Sequence, residues 1–399
     1  MKILGITAEY NPFHNGHKYH LQKSREITGA DYVIAVMSGN FTQRGEAAIL
    51  DKWERSRLAV ENGADLVLEL PFVFACARGE KFAAGAVDIL AGAGATHISF
   101  GSESGDVESL RNLVIEIKGN QDKIDLARTV FMGEGNSYAR SFQQAVGEVL
   151  GGDAASLMLA PNNILAIEYL RRIEEKGYAV EPIAVKRHGS GYFDENERAG
   201  FAGATAVRNL IKSGNAEASG KYVPDNVHKV LTGIPQRQYD TDYAVFQLIR
   251  AEIIKSSNES LSKIYCMGEG LHNKLKKEII KAGNLQELIS SVVSRRYTEA
   301  AVRRLMVYTL LGIREREMAD QLYGRVLAAG AKGRELIRMM KKQEIADIPI
   351  ITNINKEADI CGSVYDTLKY DLLASDMYNL ICGRDLYSFS DRVRKPYME

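Results

Sequence analysis

Short apolar runs alternate with longer amphipathic stretches through the first half of the chain. The apolar runs have the length and aliphatic content of buried strands, and they begin at Ile3, Tyr32, Asp65, His97 and Glu181. The stretches between them have helical periodicity, and Asp51 precedes one that stops at Asn62-Gly63, as an N-cap residue would. Strands separated by helices predict βαβ units, so we expect an α/β fold with a parallel sheet.

The pattern changes twice along the chain. Residues 105–155 are mostly helical and amphipathic, which favours a helical insertion that covers the sheet. From about residue 222 onward nearly all of the chain has helical periodicity, with breaks at Gly283 and Gly330. We therefore predict two domains: residues 1–222, with the sheet and the insertion, and residues 223–399, which are helical.

The composition is that of a soluble globular protein, with 45% apolar and 26% charged residues among 399. Lys plus Arg and Asp plus Glu both number 51, so the whole chain has no charge bias toward nucleic acid. Four scattered cysteines without a C-x-x-C pair favour the reducing cytoplasm and argue against disulfides or a zinc site. We expect no signal peptide and no membrane span, because no apolar run approaches the roughly 20 residues that a span needs.

The segment that follows the first predicted strand has the features of a phosphate-binding site. It runs from Thr7 to His20, and the turn dipeptides Asn11-Pro12 and Asn15-Gly16 bend the chain before a helix begins. A strand, a tight turn and a helix N-terminus together present backbone N–H groups to an anion. His14 and His17 add two donors, so we interpret the segment as a nucleotide-phosphate site. A metal-binding pair and two ordinary turn histidines are the alternatives.

Other polar segments also fall at the carboxyl ends of predicted strands, where ligands bind in parallel sheets. The loop 38–45 follows the second strand, and Gly101 lies at the end of the fourth. The fifth strand ends in Lys186-Arg187, and two cations at a strand end suggest an anionic ligand. Segments that are distant in sequence therefore converge on one edge of the predicted sheet.

Two further helix starts are weaker candidates. Asn162 lies where a helix begins, and it is either the N-cap of that helix or a contact to a base or ribose. Thr205 and Arg208 lie on the first turn of a later helix, where the helix dipole and the guanidinium would both favour a phosphate. The residues between, His188–Tyr192, have the composition of a flexible loop.

The segment from Ser294 to Lys342 is basic, with twelve Lys or Arg residues against five Asp or Glu, a local charge of +7. Three tyrosines are interleaved with these charges: Tyr297, Tyr308 and Tyr323. We interpret the segment as a surface for an RNA backbone, with tyrosines that stack on bases and phosphate contacts from Arg295, Arg296, Arg303 and Arg304. The alternatives are a solvated helix face and, for Arg303, an ion pair with Glu299 four residues away.

The sequence H-x-G-H at residues 14–17 resembles the signature of the nucleotidyltransferase superfamily, whose members join a substrate to the α-phosphate of a nucleotide. Longer runs, above all 7–21, 37–46 and 51–71, resemble the bacterial tRNA(Met) cytidine acetate ligases, and shorter matches extend over nearly the whole chain. This resemblance implies that ATP activates acetate as acetyl-adenylate with release of pyrophosphate. The acetyl group would then pass to N4 of the wobble cytidine of elongator tRNA(Met), forming N4-acetylcytidine.

The resemblance also implies a Rossmann-like nucleotidyltransferase domain at residues 1–222, a tRNA-binding role for 223–399, and roles for individual residues. ATP contacts are implied for Thr7, Ala8, Glu9, Tyr10, Asn11, Pro12, Phe13, His14, Asn15, Gly16, His17, Lys18, Tyr19, His20, Gly101, Asn162 and Arg187. His14, His17 and Lys18 would be catalytic, because donors at this place stabilise charge on phosphates in the transition state. Gly16 would let the adenine ring lie against the backbone. Mg²⁺ would arrive on the nucleotide, without a metal site on the protein.

Two rival functions fit parts of the same pattern. A small-metabolite adenylyltransferase would use the same ATP site, but it would have no use for a long helical C-terminal half. A non-catalytic tRNA-binding factor could keep a nucleotide as a structural ligand, although intact His14, Gly16 and His17 argue for retained chemistry. The sequence has no evident cysteine or serine nucleophile with a neighbouring base, so we expect direct transfer from the adenylate.

Overall fold

The computed structural model describes residues 1–187, 200–268, 270–314, 319–342 and 345–399. The strands in this part of the chain are β1 (Ile3–Ala8), β2 (Tyr32–Ser38), β3 (Leu66–Leu70), β4 (His97–Ser102), β5 (Glu181–Lys186), β6 (Gly324–Ala329), β7 (Ile350–Ile351) and β8 (Tyr397–Met398). They form one sheet in the order β5-β4-β1-β2-β3-β6-β7, with β8 beside β6.

Helices cover both faces of this sheet and form most of the remainder. The first nine described are α1 (Asn15–Thr28), α2 (Lys52–Glu61), α3 (Phe72–Ala75), α4 (Gly79–Gly92), α5 (Val107–Gly119), α6 (Gln121–Gly133), α7 (Tyr138–Leu150), α8 (Gly152–Leu157) and α9 (Pro161–Lys176). The later ones are α10 (Ala204–Lys212), α11 (Asp225–Gly233), α12 (Asp242–Lys255), α13 (Asn258–Ser262), α14 (Leu271–Glu278), α15 (Leu285–Val292), α16 (Glu299–Leu310), α17 (Ala331–Lys341), α18 (Ala358–Ser363) and α19 (Tyr365–Ile381). Two short 3₁₀ helices are Ala216–Lys221 and Gln236–Gln238.

All five strands predicted from the apolar runs are present, and they are parallel. β2 and β3 lie on one side of β1, and β4 and β5 lie on the other side, so the strand order reverses at β1. Ligands bind at the carboxyl ends of the strands beside such a reversal, and the segment that follows β1 lies there. The predicted α/β fold with its largely parallel sheet is confirmed.

Two layers of apolar side chains hold the helices against the sheet. Alternate residues of β1 and β2 face opposite sides, as the period of a strand requires. Ile34 and Val36 belong to the core on the α4 face, whereas Leu4 and Ile6 belong to the core under α1 and α2. Asp51 caps α2 as predicted, because its Oδ1 accepts the backbone N–H of Glu54 at 2.8 Å.

The predicted helical insertion is present as α5 to α8, between β4 and α9. Its core-facing residues include Leu113 and Phe142, which are buried in the same cluster as the α4 face of the sheet. In the part of the chain that the structure describes, no helix is both long enough and apolar enough to cross a membrane.

Residues 223–399 are largely helical, as predicted, but they also contribute β6, β7 and β8, which the periodicity did not predict. β6 pairs antiparallel with β3 and continues the sheet of the first half of the chain. It is buried on both faces, so its apolar residues follow each other without the alternation that identifies a half-exposed strand. The division of the chain at residue 222 stays a prediction.

The prediction that Tyr308 and Tyr323 stack on RNA bases was wrong. Both side chains are buried, and their hydroxyl groups donate to the carbonyl of Cys76 and to the carboxylate of Asp371. The neighbouring cations Arg304 and Arg325 are buried as well, so neither segment presents a charged face to solvent at these tyrosines. Tyr297 is half-buried and packs against the same core.

Candidate functional site

The H-x-G-H residues form a compact unit at the start of α1. His14 is the N-cap residue of this helix, and its backbone N–H donates to Nδ1 of His17 at 3.3 Å. The two imidazole rings stack with their centroids 3.6 Å apart. Because Nδ1 of His17 accepts, a neutral His17 has its proton on Nε2. Tyr10 and Phe13 pack against the ring of His17, with centroids 4.9 and 5.6 Å away.

Gly16 is required by the position of the His14 ring. A Cβ at residue 16 would lie 2.9 Å from Cε1 and 3.0 Å from Nδ1 of His14, closer than such atoms approach. The glycine therefore allows the imidazole to fold back over the first turn of α1. The folded-back ring of His14 and the side chain of His17 together form a capping box at the start of this helix.

The histidines of this segment are neutral at pH 7 in the free protein. Burial, aided by the positive charge of Arg187, lowers the pKa of His14 and of His20 to about 4. Burial and the neighbouring His14 lower the pKa of His17 well below its usual value. Nε2 of His20 is hydrogen-bonded to Oγ of Ser99 on β4 at 3.0 Å. An anion bound here would reverse these shifts, because it favours the charged imidazolium.

Gly101, Asn162 and Arg187 meet beside this segment, although 86 residues separate the first from the last. A Cβ at Gly101 would lie 3.1 Å from Cγ of Arg187, so the glycine makes room for the arginine stem. Nη1 of Arg187 donates to Oδ1 of Asn162 at 3.2 Å. Helix α1, which carries His17 and His20, packs against β5 directly before Arg187, and the charge of Arg187 contributes to the lowered pKa of all three histidines.

Glu103 orients Asn162 and was not identified as a site residue from the sequence. Its carboxylate accepts Nδ2 of Asn162 at 2.5 Å and the backbone N–H of Asn163 at 3.0 Å. Glu103 thus accepts backbone N–H groups at the N-terminus of α9 that would otherwise lack a partner. Ala160, which occupies the N-cap position, has no side-chain acceptor for them. The interpretation of Asn162 as the N-cap was therefore wrong. The only sequence signal for Glu103 is its place directly after β4.

Arg208 joins the site, as its weaker motif suggested. Its Nη1 donates to the carbonyl of Asn11 at 2.9 Å, and its Nη2 to Oγ1 of Thr205 at 3.2 Å. Arg208 also lies 3.6 Å from the carboxylate of Glu46. Thr205 and Arg208 therefore support the backbone of the segment that holds the histidines. The adjoining loop, His188–Tyr192, lies outside the described residues.

The loop 38–45 forms another wall of the site. The guanidinium of Arg55 donates to the carbonyls of Glu9, Ser38 and Gly39, which ties the ends of β1 and β2 together. The backbone N–H of Gln43 donates to Oε1 of half-buried Glu9 at 2.8 Å. Burial raises the pKa of Glu9 above its usual value, and the Gln43 N–H and Arg208 limit that rise.

Two of the four arginines predicted to bind RNA instead have partners within the protein. Buried Arg304 donates to the carbonyl of Gln43 at 2.9 Å. Gly45 has a φ of 75°, and a Cβ there would lie 2.4 Å from the backbone nitrogen of Arg304, so the loop packs directly on α16. Arg303 pairs with Glu299 at 2.8 Å, which is the alternative that the four-residue spacing offered. Arg295 and Arg296 are exposed, by contrast.

The structure thus gathers the predicted nucleotide residues, including the contiguous segment 7–20, at one edge of the sheet. Lys18 lies half-buried on the first turn of α1, next to His17. Within the described residues, no group of three or more His, Cys, Asp or Glu side chains is arranged to hold a metal ion. The arrangement offers neutral imidazoles, guanidinium groups and helix N–H groups, which suit an anionic nucleotide.

A family model described as HIGH Nucleotidyl Transferase matches residues 1–390. The chain belongs to this family. Curated relatives named tRNA(Met) cytidine acetate ligase include those of Thermoanaerobacter sp. (strain X514) and Alkaliphilus metalliredigens. The first is 38% identical over 95% of both chains, and the second is 32% identical over 100% of this chain and 99% of its own.

The solved structures agree with this membership of the HIGH nucleotidyl transferase family. The crystal structure of Thermotoga maritima TmcAL bound with alpha-thio ATP matches with a TM-score of 0.89. The two proteins are 28% identical, and the match covers 100% of this chain and 99% of the other. The apo form of the same protein matches equally well. The resemblance drawn from the sequence is confirmed at the level of the family and of the whole fold.

Proposed function

We propose that this chain activates acetate with ATP and transfers the acetyl group to N4 of the wobble cytidine of elongator tRNA(Met). The main support is the group of neutral histidines beside Arg187 at the strand-order reversal. The chain also matches a protein named for this reaction over 95% of that protein's length. The relative with the same fold binds an ATP analogue, so ATP is the nucleotide that we assign to the site.

In the first step, an oxygen of acetate attacks the α-phosphorus of ATP. The bond from that phosphorus to the bridging oxygen breaks, and pyrophosphate leaves with the bonding electrons. We assign stabilisation of the phosphate charge to His14, His17, Lys18 and Arg187, which lie at the start of α1 and directly after β5. Gly101 and Asn162 hold Arg187 in place, and Glu103 fixes the amide of Asn162.

In the second step, N4 of the cytidine attacks the carbonyl carbon of the acetyl-adenylate. The new C–N bond forms, the bond to the AMP oxygen breaks, and the nitrogen loses a proton. Acetate itself is a poor electrophile at neutral pH, and the phosphate leaving group supplies the reactivity. The role of the protein is then to position the two substrates and to exclude water.

Mg²⁺ is expected to enter with the nucleotide. It would screen the charge of the β- and γ-phosphates, and the protein ligands of such an ion are usually few. We further assign tRNA binding mainly to the region 223–399, and a tRNA substrate places the reaction in the cytoplasm.

A direct test uses the intact protein with ATP, labelled acetate and a tRNA(Met) transcript. We expect pyrophosphate release that depends on acetate, and N4-acetylcytidine at the wobble position by mass spectrometry of the nucleosides. Acetyl-CoA without ATP is expected to give no product. Acetylation from acetyl-CoA alone would contradict the adenylate route, and adenylation of a small metabolite in preference to acetate would favour the rival enzyme class.

Binding of ATP near pH 6 is expected to take up protons. The histidine pKa values are low in the free protein, and phosphate charge will raise them, so the imidazoles gain protons at a pH between the free and bound values. Calorimetry in two buffers of different ionisation enthalpy measures the uptake. Protonation of ATP itself contributes equally in the wild type and in every variant. The difference in proton uptake between the wild type and His14→Ala therefore measures the protons that bind to the protein. Equal uptake in wild type and variant would contradict the assignment.

A further inference from the structure

A second cluster of cations lies at the junction between the helical insertion and the C-terminal half. We call it the Tyr138 surface, and it consists of Arg78, Arg128, Tyr138, Arg295 and Arg296. The guanidinium carbons of Arg78 and Arg128 lie 5.2 and 4.9 Å from the centroid of the Tyr138 ring. Nη1 of Arg128 also donates to the Tyr138 hydroxyl at 3.0 Å. One aromatic ring therefore contacts two guanidinium groups.

A hydrogen bond from Arg295 connects the C-terminal half of the chain to this surface. Its Nη2 donates to Oδ1 of Asn136 at 3.2 Å, and Asn136 is two residues before Tyr138. Asn136 is itself buried, and its Nδ2 is held by the carbonyl of Phe131 at 3.1 Å. These hydrogen bonds fix the position of the turn at residues 136–138. Arg296 follows Arg295 and is exposed.

The cations of this surface come from three separate segments, and acidic residues neutralise them only in part. Asp125 pairs with Arg128 at 2.8 Å, and burial and two more carboxylates, those of Glu80 and Glu168, raise the pKa of Tyr138. Glu168 is itself paired with Arg171 at 3.3 Å. Arg78, Arg295 and Arg296 have no ion pair with a described residue. Guanidinium groups that repel one another are costly to gather unless an anion neutralises them. Such a convergence is typical of a site for the phosphates of a nucleic acid.

The Tyr138 surface also lies beside the edge of the sheet where the nucleotide site is. Arg78 is the N-cap of α4 and follows the carboxyl end of β3 through the short helix α3. Arg295 and Arg296 precede α16, whose Arg304 supports the loop 38–45. A polymer bound at the surface would therefore reach the same edge as the adenylate.

We propose that the Tyr138 surface binds the phosphate backbone of the tRNA substrate and that the insertion α5–α8 is thus part of the tRNA site. This inference rests on the proposed function, and it moves the RNA contacts away from Arg303 and Arg304, which have partners inside the protein. Tyr138 is a positioning residue here: its ring gathers Arg78 and Arg128, and the two guanidinium groups contact phosphate.

The test compares tRNA affinity and its salt dependence for the wild type and for the double variant Arg78→Gln/Arg295→Gln. Each lost phosphate contact removes roughly 0.7–0.9 from the slope of log affinity against log salt, so we expect the slope to fall by about 1.4–1.8. Affinity at low salt should fall about tenfold. Tyr138→Leu should weaken binding with a smaller change in slope, because both charges remain but are no longer held together.

A charge-matched control is Lys23→Gln/Lys176→Gln, which removes a lysine of α1 that is paired with Glu26 and an exposed lysine in the last turn of α9, both outside the region 223–399 and the Tyr138 surface. This control should bind tRNA as the wild type does. Melting temperatures identify any variant that fails to fold. If the glutamine variant does not fold, the tRNA affinity of Arg78→Lys/Arg295→Lys, which keeps both charges, is compared with that of the wild type instead.

Three outcomes are distinguishable. A reduced slope in the arginine variant alone supports the Tyr138 surface. An unchanged slope in a folded arginine variant overturns it, and so does an equal loss in the lysine control, which would indicate non-specific attraction. Failure of the proposed function would look different, because the wild-type protein itself would then release no pyrophosphate with ATP and acetate.

Discussion

Replacement of His14 by alanine is expected to slow formation of acetyl-adenylate by about 10²–10³-fold, the usual cost of one donor that stabilises transition-state charge. His14 is buried at the start of α1, and it supports the stacked ring of His17. His17→Ala should cost about as much. The measurement is acetate-dependent exchange of labelled pyrophosphate into ATP, with substrates at saturation so that the loss is assigned to the chemical step.

The matched control for these variants is His228→Ala. His228 lies on α11, where its ring faces Glu217 at 3.6 Å and packs against Gly220. Neither neighbour is one of the predicted nucleotide residues, so removal of His228 should leave the exchange rate unchanged. Affinity for tRNA should be nearly the same in all three variants, since none of the three histidines belongs to the Tyr138 surface. Exchange at the wild-type rate in folded His14→Ala and His17→Ala would exclude both from the chemistry.

The parts of the fold that were predictable from the sequence are those with local signals. β1 to β5 follow from short aliphatic runs, and the segment 7–20 follows from its turn dipeptides between a strand and a helix. The convergence of Gly101 and Arg187 on that segment follows from the rule that parallel strands end at one edge of the sheet. Their direct contact confirms the rule, because a Cβ at Gly101 would touch the arginine stem.

Other features were not predictable because their causes are distant in sequence. The environment of Arg303 and Arg304 depends on Gln43 and Gly45, which contact α16 from the loop after the carboxyl end of β2. A run of alternating charges and tyrosines does not indicate which face is buried, and so Tyr308 was misassigned. β6 lacked a period-two pattern because β3 and β7 flank it and both of its faces are covered.

The least predictable feature is a cluster of buried charges that joins the last residues of the chain to the site. Nζ of Lys52 lies 2.6 Å from Oε1 of Glu69 and 2.6 Å from Oδ2 of Asp391, and its side chain has no exposed surface. Arg325 on β6 contacts the same Asp391 oxygen at 2.7 Å. The backbone N–H of Lys52 donates to Oδ1 of Asn40, so the cluster also anchors the loop 38–45.

Asp391→Ala is expected to lower the free energy of unfolding by about 3–5 kcal/mol, because it leaves buried Lys52 and Arg325 with a single anion. The measurement is urea denaturation at pH 7. Asp366→Ala is the matched control, since Asp366 forms an exposed pair with Lys369 on α19 and should cost about 1 kcal/mol or less. A loss in Asp391→Ala no larger than that of the control would show that the cluster adds little stability.

The contribution of Asp391 should also depend on pH in one direction. Burial alone would raise the pKa of this carboxyl, but the adjacent Arg325 and Lys52 lower it below its ordinary value. A carboxyl with a lowered folded pKa stabilises the protein above the unfolded value of about 3.9 and loses that contribution as the pH falls further. The difference in unfolding free energy between wild type and Asp391→Ala should therefore be constant from pH 7 to about pH 5 and shrink below pH 4. A difference that grows on acidification would mean that Asp391 is protonated in the folded protein at neutral pH.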